Sequence, residues 1–265
     1  MQQPPAEIIV THLVWMIFWI LVVGFILVVG RRKESLRGFR ERMIAQWRPS
    51  LAITVVYLVS SGLGGGSFLN PFAITVFCQA LVGLALAKSI NGFEPLPVTR
   101  AIAQREKAWR SVGLMLLVAL LLVPVVVVIG SLGLNLALQI FGETNQTSEA
   151  MGMLPANKWL TFFALLSGAG IAEETTYRLV FLSLFERITR RRWLAVLLSA
   201  LVFGAYHLSP LDSMYRVFWQ FPLSQFLAST LVGVVLSFVY IKRGYETAVL
   251  GHTLGDWIPM MIFMD

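Results

Sequence analysis

Long apolar runs alternate with short basic stretches along this chain. The apolar runs cover residues 8–30, 51–87, 112–141, 159–185, 193–208, 217–241 and 247–263. About 20 apolar residues suffice for a helix to cross a bilayer. The run 51–87 is too long for one span. Gly62, Gly64, Gly65, Gly66, Asn70 and Pro71 interrupt it, which predicts two helices in a hairpin. Its first arm, 51–62, is short enough to be re-entrant. The runs are continuous rather than alternating, which argues against a membrane β-barrel. The pattern therefore predicts an all-α polytopic membrane protein of about eight transmembrane helices. Pro124 predicts a kink in the run 112–141.

Basic residues concentrate between the runs, at 31–48, 88–110, 187–192 and 242–243. The positive-inside bias puts these stretches in the cytoplasm and, with eight spans, both chain ends outside. His12 then falls at the outer end of the first run, as an interfacial histidine. The stretch 101–109 reads as an interfacial amphipathic helix. The first run reads as a retained anchor, because no basic segment precedes it and no small-residue cleavage site follows. The polar stretch 142–158 contains no arginine and is placed outside, as is the short loop 209–216. Asn145-Gln146-Thr147 fits a glycosylation pattern but reads as a plain polar loop. No internal repeat is visible. The organisation expected is one integrated membrane domain, with N-terminal helices and basic loops over 1–110 and a core over 111–265.

Composition sharpens this picture. The chain is 57% hydrophobic and 13% charged, whereas a soluble domain carries roughly 25% charged residues. The net charge of +7 is accounted for by the inter-run loops and does not require nucleic acid. Cys78 is the single cysteine, so disulfide frameworks and multi-cysteine metal sites are excluded. Within an apolar run it reads as a small buried hydrophobe.

Candidate chemistry lies in the last hundred residues, inside the apolar runs. Glu173, Glu174 and Arg178 occupy one run, Phe203 and His207 the next, and His252 and Asp256 the last. A charge near the bilayer centre costs at least ~2.5–3.5 kcal/mol on insertion scales. Glu174 and Arg178 are four apart and can pair on one helix face. Glu173 points about a quarter turn away and is left as the reactive carboxylate. His252 and Asp256 are also four apart, and a carboxylate beside a histidine fixes its tautomer and orientation.

The order and spacing of these residues resemble those of the CPBP intramembrane proteases. That family includes the type II CAAX prenyl endopeptidases and bacterial bacteriocin-processing or self-immunity proteins. Its Glu-Glu-x-x-x-Arg motif corresponds to Glu173, Glu174 and Arg178. Its Phe-x-x-x-His motif corresponds to Phe203 and His207, and its His-x-x-x-Asn/Asp motif to His252 and Asp256. The prenyl endopeptidases typically carry asparagine where this chain has Asp256; many bacterial members do not. The resemblance implies a catalytic core in the last four helices and hydrolysis of a peptide bond within or at the edge of the membrane.

In such a reaction Glu173 takes the proton of a water that His207 helps orient. His252 stabilises the oxyanion and Asp256 holds its ring. Glu174, Arg178 and Phe203 support the site. A catalytic zinc on Glu173, His207 and His252 is the alternative, although the His-Glu-x-x-His pattern is absent. The metal-free reading is favoured, because a glutamate with no histidine near it on its own helix suits a base better than a ligand. Ser199 and Ser209 flank the second motif, but neither sits in a nucleophile elbow. Buried Glu, His and Asp also serve proton- or ion-coupled transporters. Those should show paired broken helices in two halves, and the glycine-rich break at 62–66 has no counterpart. A non-catalytic membrane scaffold is the third reading. The expected partners are the bilayer and a membrane-associated peptide or protein, and the expected location is a bacterial cytoplasmic membrane. A prenylated CAAX substrate follows only if the host prenylates proteins.

Overall fold

A continuous helical rod over residues 158–189 packs against helices from both the earlier and the later parts of the chain. The computed structural model describes residues 6–142, 157–207 and 223–263, and among them every regular element is a helix. In chain order these are α1 (Ala6–Arg32), α2 (Glu34–Ala45), α3 (Trp47–Leu63), α4 (Phe72–Ala87), α5 (Pro97–Ala103) and α6 (Ala108–Phe141). The rod follows. It opens as α7 (Lys158–Leu165), widens to π-helical turns over Leu166–Glu173 and Thr175–Leu182, and closes as α8 (Ser183–Thr189). After it come α9 (Arg192–Tyr206), α10 (Leu223–Arg243) and α11 (Tyr245–Phe263).

The hairpin expected over 51–87 is present as α3 and α4, and the glycine cluster lies in the turn between them. Asn70 fixes that turn. Its carboxamide donates to the Tyr57 hydroxyl at 3.0 Å, and its oxygen accepts from Phe72 N at 3.0 Å. α6 remains helical through Pro124. Two expectations need correction. The basic stretch 31–48 is not an open loop but largely the helix α2. The short helix expected at 101–109 lies earlier, at α5, because Pro97 starts it and Arg105 and Lys107 adopt left-handed conformations that end it. Trp109 instead belongs to the first turn of α6.

Among the described residues three helices are long and apolar enough to cross a membrane, at Val10–Arg32, Ala108–Ile140 and Gln225–Arg243, with Phe72–Ala87 and Arg192–Tyr206 as shorter apolar helices. The polar stretch 143–156 with its glycosylation pattern, and the segment 208–222 with Ser209 and the expected outer loop, lie outside the described residues.

The π-helical turns are tied from the side. In a wide turn the backbone bond runs from i to i+5, and hydroxyl groups reach several of the rod's carbonyls. Ser199 on α9 donates to Tyr177 O at 2.7 Å, and Ser183 to Arg178 O at 3.4 Å. The Tyr245 hydroxyl donates to Ile171 O at 3.3 Å. Its one proton is then used, so the Thr175 hydroxyl, 2.7 Å away, is the donor of that pair. The same reasoning makes the Tyr240 hydroxyl the donor to Ser183, at 3.1 Å. α4 packs on one side of the rod and α11 on another, with α9 and α10 completing the wall. α11 can approach closely because Gly170 faces Thr253, where a side chain on the rod would collide.

Candidate active site

Asn157 sets where the rod begins. Its side-chain oxygen accepts from Trp159 N at 2.9 Å and Leu160 N at 3.3 Å, a standard N-terminal cap. At the same end Trp257 Nε1 donates to Lys158 O at 2.8 Å, which fixes α11 lengthwise against the rod. These two anchors set the height at which His252 meets the glutamates.

Glu174 and Arg178 are fully buried, and their carboxylate and guanidinium approach to 3.1 Å. This is the pairing their spacing predicts. Arg178 Nη2 also donates to Gly233 O on α10 at 3.4 Å. Its guanidinium carbon stacks 4.5 Å from the Phe203 ring centroid, a cation–π contact. Phe203 in turn presents to two histidines. The His207 ring lies 4.9 Å away and the His252 ring 5.8 Å away, both edge-to-face. Phe203 is thus the apolar hub that spaces the guanidinium and both imidazoles.

The sequence spacing assigned the orientation of His252 to Asp256, and here the structure differs. His252 Nδ1 lies 2.8 Å from Glu174 Oε1, so the ring donates Nδ1–H across to the rod. Asp256 instead faces the other nitrogen, with Oδ2 at 3.6 Å from Nε2. Glu173 approaches the same nitrogen, its Oε2 at 3.9 Å. Glu174 therefore joins Arg178 and His252 and sets the ring. Helical spacing within one element cannot reveal such a partner on another helix.

Three groups of acceptor character thus surround one position: His252 Nε2 and the carboxylates of Glu173 and Asp256. Such a cluster is stable only if a proton is shared among them. The two carboxylates are also the open part of the site. Glu173 keeps 22% and Asp256 33% of the side chain exposed, against 5% for His252. His207 is buried at the C-terminal end of α9, where Nδ1–H donates to Phe203 O at 2.9 Å. That tautomer makes Nε2 the acceptor nitrogen. His207 and His252 both interact electrostatically with Asp256. All seven residues singled out in the sequence therefore lie in one connected cluster. The groups it did not single out are Tyr245, which donates to Ile171 O, Thr175, which donates to Tyr245, and Gly233 O under Arg178; Ser199, named there only as no nucleophile, holds Tyr177 O.

Such a cluster can take up, hold and return a proton beside an open polar position. Among the described residues no group of three His, Cys, Asp or Glu side chains is set at metal-binding geometry.

Residues 155–258 match the family model described as type II CAAX prenyl endopeptidase Rce1-like. The match covers all three motifs and bears out the resemblance to the CPBP proteases. No curated protein and no solved structure gives a match. With the apolar helices, the Rce1-like match supports a membrane protein of CAAX-type intramembrane protease character in general, and that family implies a peptide or protein substrate.

Proposed function

We propose that this chain is an intramembrane endopeptidase whose reacting groups are Glu173, His207, His252 and Asp256, with no metal ion in the reaction. The observation that carries this reading is the facing of two part-open carboxylates, Glu173 and Asp256, onto His252 Nε2 at 3.9 and 3.6 Å. Each distance exceeds a direct hydrogen bond and suits a reacting oxygen seated beside the groups, within hydrogen-bond reach of each.

In this mechanism Glu173 accepts a proton from a water, and the hydroxide attacks the scissile carbonyl carbon. His207, through its acceptor Nε2, orients that water. As the tetrahedral adduct forms, its oxyanion takes a hydrogen bond from His252 Nε2–H. Nδ1–H is already directed at Glu174, so the donating form is the imidazolium, and Glu174 and Asp256 stabilise its charge. When the adduct collapses, the C–N bond breaks and Glu173 returns its proton to the leaving amine. Glu174, Arg178 and Phe203 hold the geometry and exchange no atoms. No step is routed through zinc.

The reading extends to architecture. We propose eight spans, with the catalytic core in the last four helices and the N-terminal helices up to about residue 110 as a packed buttress. The basic stretches face the cytoplasm. The location proposed is a bacterial cytoplasmic membrane, and the substrate is a membrane-associated peptide or protein tail.

The test is cleavage by the purified chain in detergent, using as candidates the membrane peptides that accumulate uncut in a deletion strain. Cleavage by wild type and none by Glu173→Ala is the expected result. Equal cleavage by both would remove Glu173 from the mechanism. A chain that cleaves nothing but carries protons or ions in vesicles would be a transporter instead.

A further inference from the structure

Two adjacent threonines on the rod use their hydroxyls differently. Thr176 turns back on Ala172 O, four residues earlier, at 2.9 Å, with the Gln79 carboxamide at 3.1 Å on its other side. A bond to the carbonyl four residues back is the usual local one for a helical threonine. Thr175 stands in the same relation to Ile171 but gives its proton to the Tyr245 hydroxyl at 2.7 Å. That hydroxyl donates its own proton to Ile171 O at 3.3 Å. Tyr245 is thus inserted between a threonine and the carbonyl it would otherwise reach directly. The two bridged residues bracket Glu173 and Glu174. Ile171, Thr175 and Tyr245 are all buried, so the bridge lies behind the open position of the site.

Tyr245 is also the first residue of α11, the helix that carries His252. Residues 245 and 252 are two turns apart and share a face. That face meets the rod twice: the Tyr245 hydroxyl on Ile171 and Thr175, and His252 Nδ1 on Glu174 at 2.8 Å. Two such points fix both the height and the rotation of the glutamates relative to His252. The main chain around Tyr245 is gripped as well. Tyr245 N donates to Pro95 O at 2.8 Å, and Glu246 Oε1 accepts from Thr99 N at 2.8 Å. Gly244, at a φ of +84°, lets Pro97 approach where a side chain would collide. The hydroxyl is therefore held from the start of α11 by the segment that leads into α5.

We propose that Tyr245 is a positioning residue for the hydrolysis: its hydroxyl, inserted between Thr175 and Ile171 O, holds the widened turn that sets Glu173 and Glu174 against His252. This rests on Glu173 being the base, as proposed above. Without the hydroxyl, Thr175 is free to turn back on Ile171 O as Thr176 does on Ala172 O, and the rod loses a tie to α11 beside the glutamates.

The test is the pH profile of kcat/KM for the full chain in detergent, on a membrane peptide cleaved by wild type and not by Glu173→Gln. That profile reports the ionising groups of the free enzyme. Glu173 lies among His252, Asp256, Glu174 and Arg178, so displacing it changes its titration, whereas a smaller folded fraction only scales the rate. Tyr245→Phe should lower kcat about 10–100-fold, leave KM within about twofold and displace the profile by at least about half a pH unit. Tyr240→Phe is the control. It removes another buried hydroxyl beside the rod, the one that donates to Ser183, and should keep the wild-type profile. If Tyr245→Phe fails to fold, Thr175→Val removes the other half of the bridge and should displace the profile, while Thr175→Ser should keep it. A Tyr245→Phe or Thr175→Val profile that superimposes on that of wild type would overturn the inference, as would an equal displacement in Tyr240→Phe. Wild type that cleaves nothing, or Glu173→Gln that cleaves as wild type does, would remove the proposed function and this inference with it.

Discussion

His252 Nδ1 and Glu174 Oε1 are 2.8 Å apart although 78 residues separate them in sequence. The same carboxylate holds Arg178 at 3.1 Å, so one buried oxygen orients a histidine and neutralises an arginine. Removing it leaves an uncompensated charge in an apolar interior. Glu174→Ala is expected to lose roughly 3–5 kcal/mol of stability, and Arg178→Ala a comparable amount. Unfolding in detergent, followed by circular dichroism, measures both. A Glu174→Ala protein within about 1 kcal/mol of wild type would contradict this role.

Glu173 differs in kind from its neighbour. It is part-open and lies 3.9 Å from His252 Nε2. Glu173→Gln keeps the shape and removes the base. We expect cleavage to vanish while stability stays within about 0.5 kcal/mol of wild type, the range of substitutions that break no buried network. Full activity in this variant would end the mechanism proposed above.

For Asp256, asparagine can still present an oxygen toward His252 Nε2. Asp256→Asn is expected to keep substantial activity and Asp256→Ala to lose most of it. Chelators should have little effect on wild type or on Asp256→Asn. Loss of all activity in Asp256→Asn, together with a chelator-sensitive wild type rescued by zinc, would replace this mechanism with a metal-dependent one.

Ser199 tests the rod rather than the chemistry. Its hydroxyl is buried and donates to Tyr177 O in the widened turns. Ser199→Ala leaves that carbonyl without its side-chain donor and should cost about 1–3 kcal/mol. The loss is read by thermal unfolding.

Membrane orientation is tested by reporter fusions at the Arg187 and Lys242 stretches. The expected result is the same side for both, with Arg31–Arg48 joining them. Opposite sides would refute the eight-span arrangement.

Much of the cluster was legible because it is local. Glu174–Arg178 and His252–Asp256 follow from helical spacing, and Phe203 and His207 from their motif. What the sequence hid is cross-helix geometry. Nothing in the spacing of His252 shows that Glu174, not Asp256, takes its Nδ1, because that depends on how far α11 slides along the rod. Trp257 and Gly170 set that slide. α2 was hidden for another reason: its dense charge reads as solvated loop, and only Phe39 and Met43 betray a packed face. The displaced α5 was readable in principle, since Pro97 is a common first residue of a helix.

The widened turns before and after Glu174 have a consequence for evolution and for engineering. They act as a phase setting. Each residue of an ordinary helix advances the side chains by about 100°, and the π pairing of Leu166–Glu173 and Thr175–Leu182 takes up more residues per turn. Relaxation of Leu166–Glu173 to ordinary winding at unchanged length would rotate both glutamates off His252, with every motif residue still present. Winding between the cap and the motif is therefore as much a requirement as the motif itself.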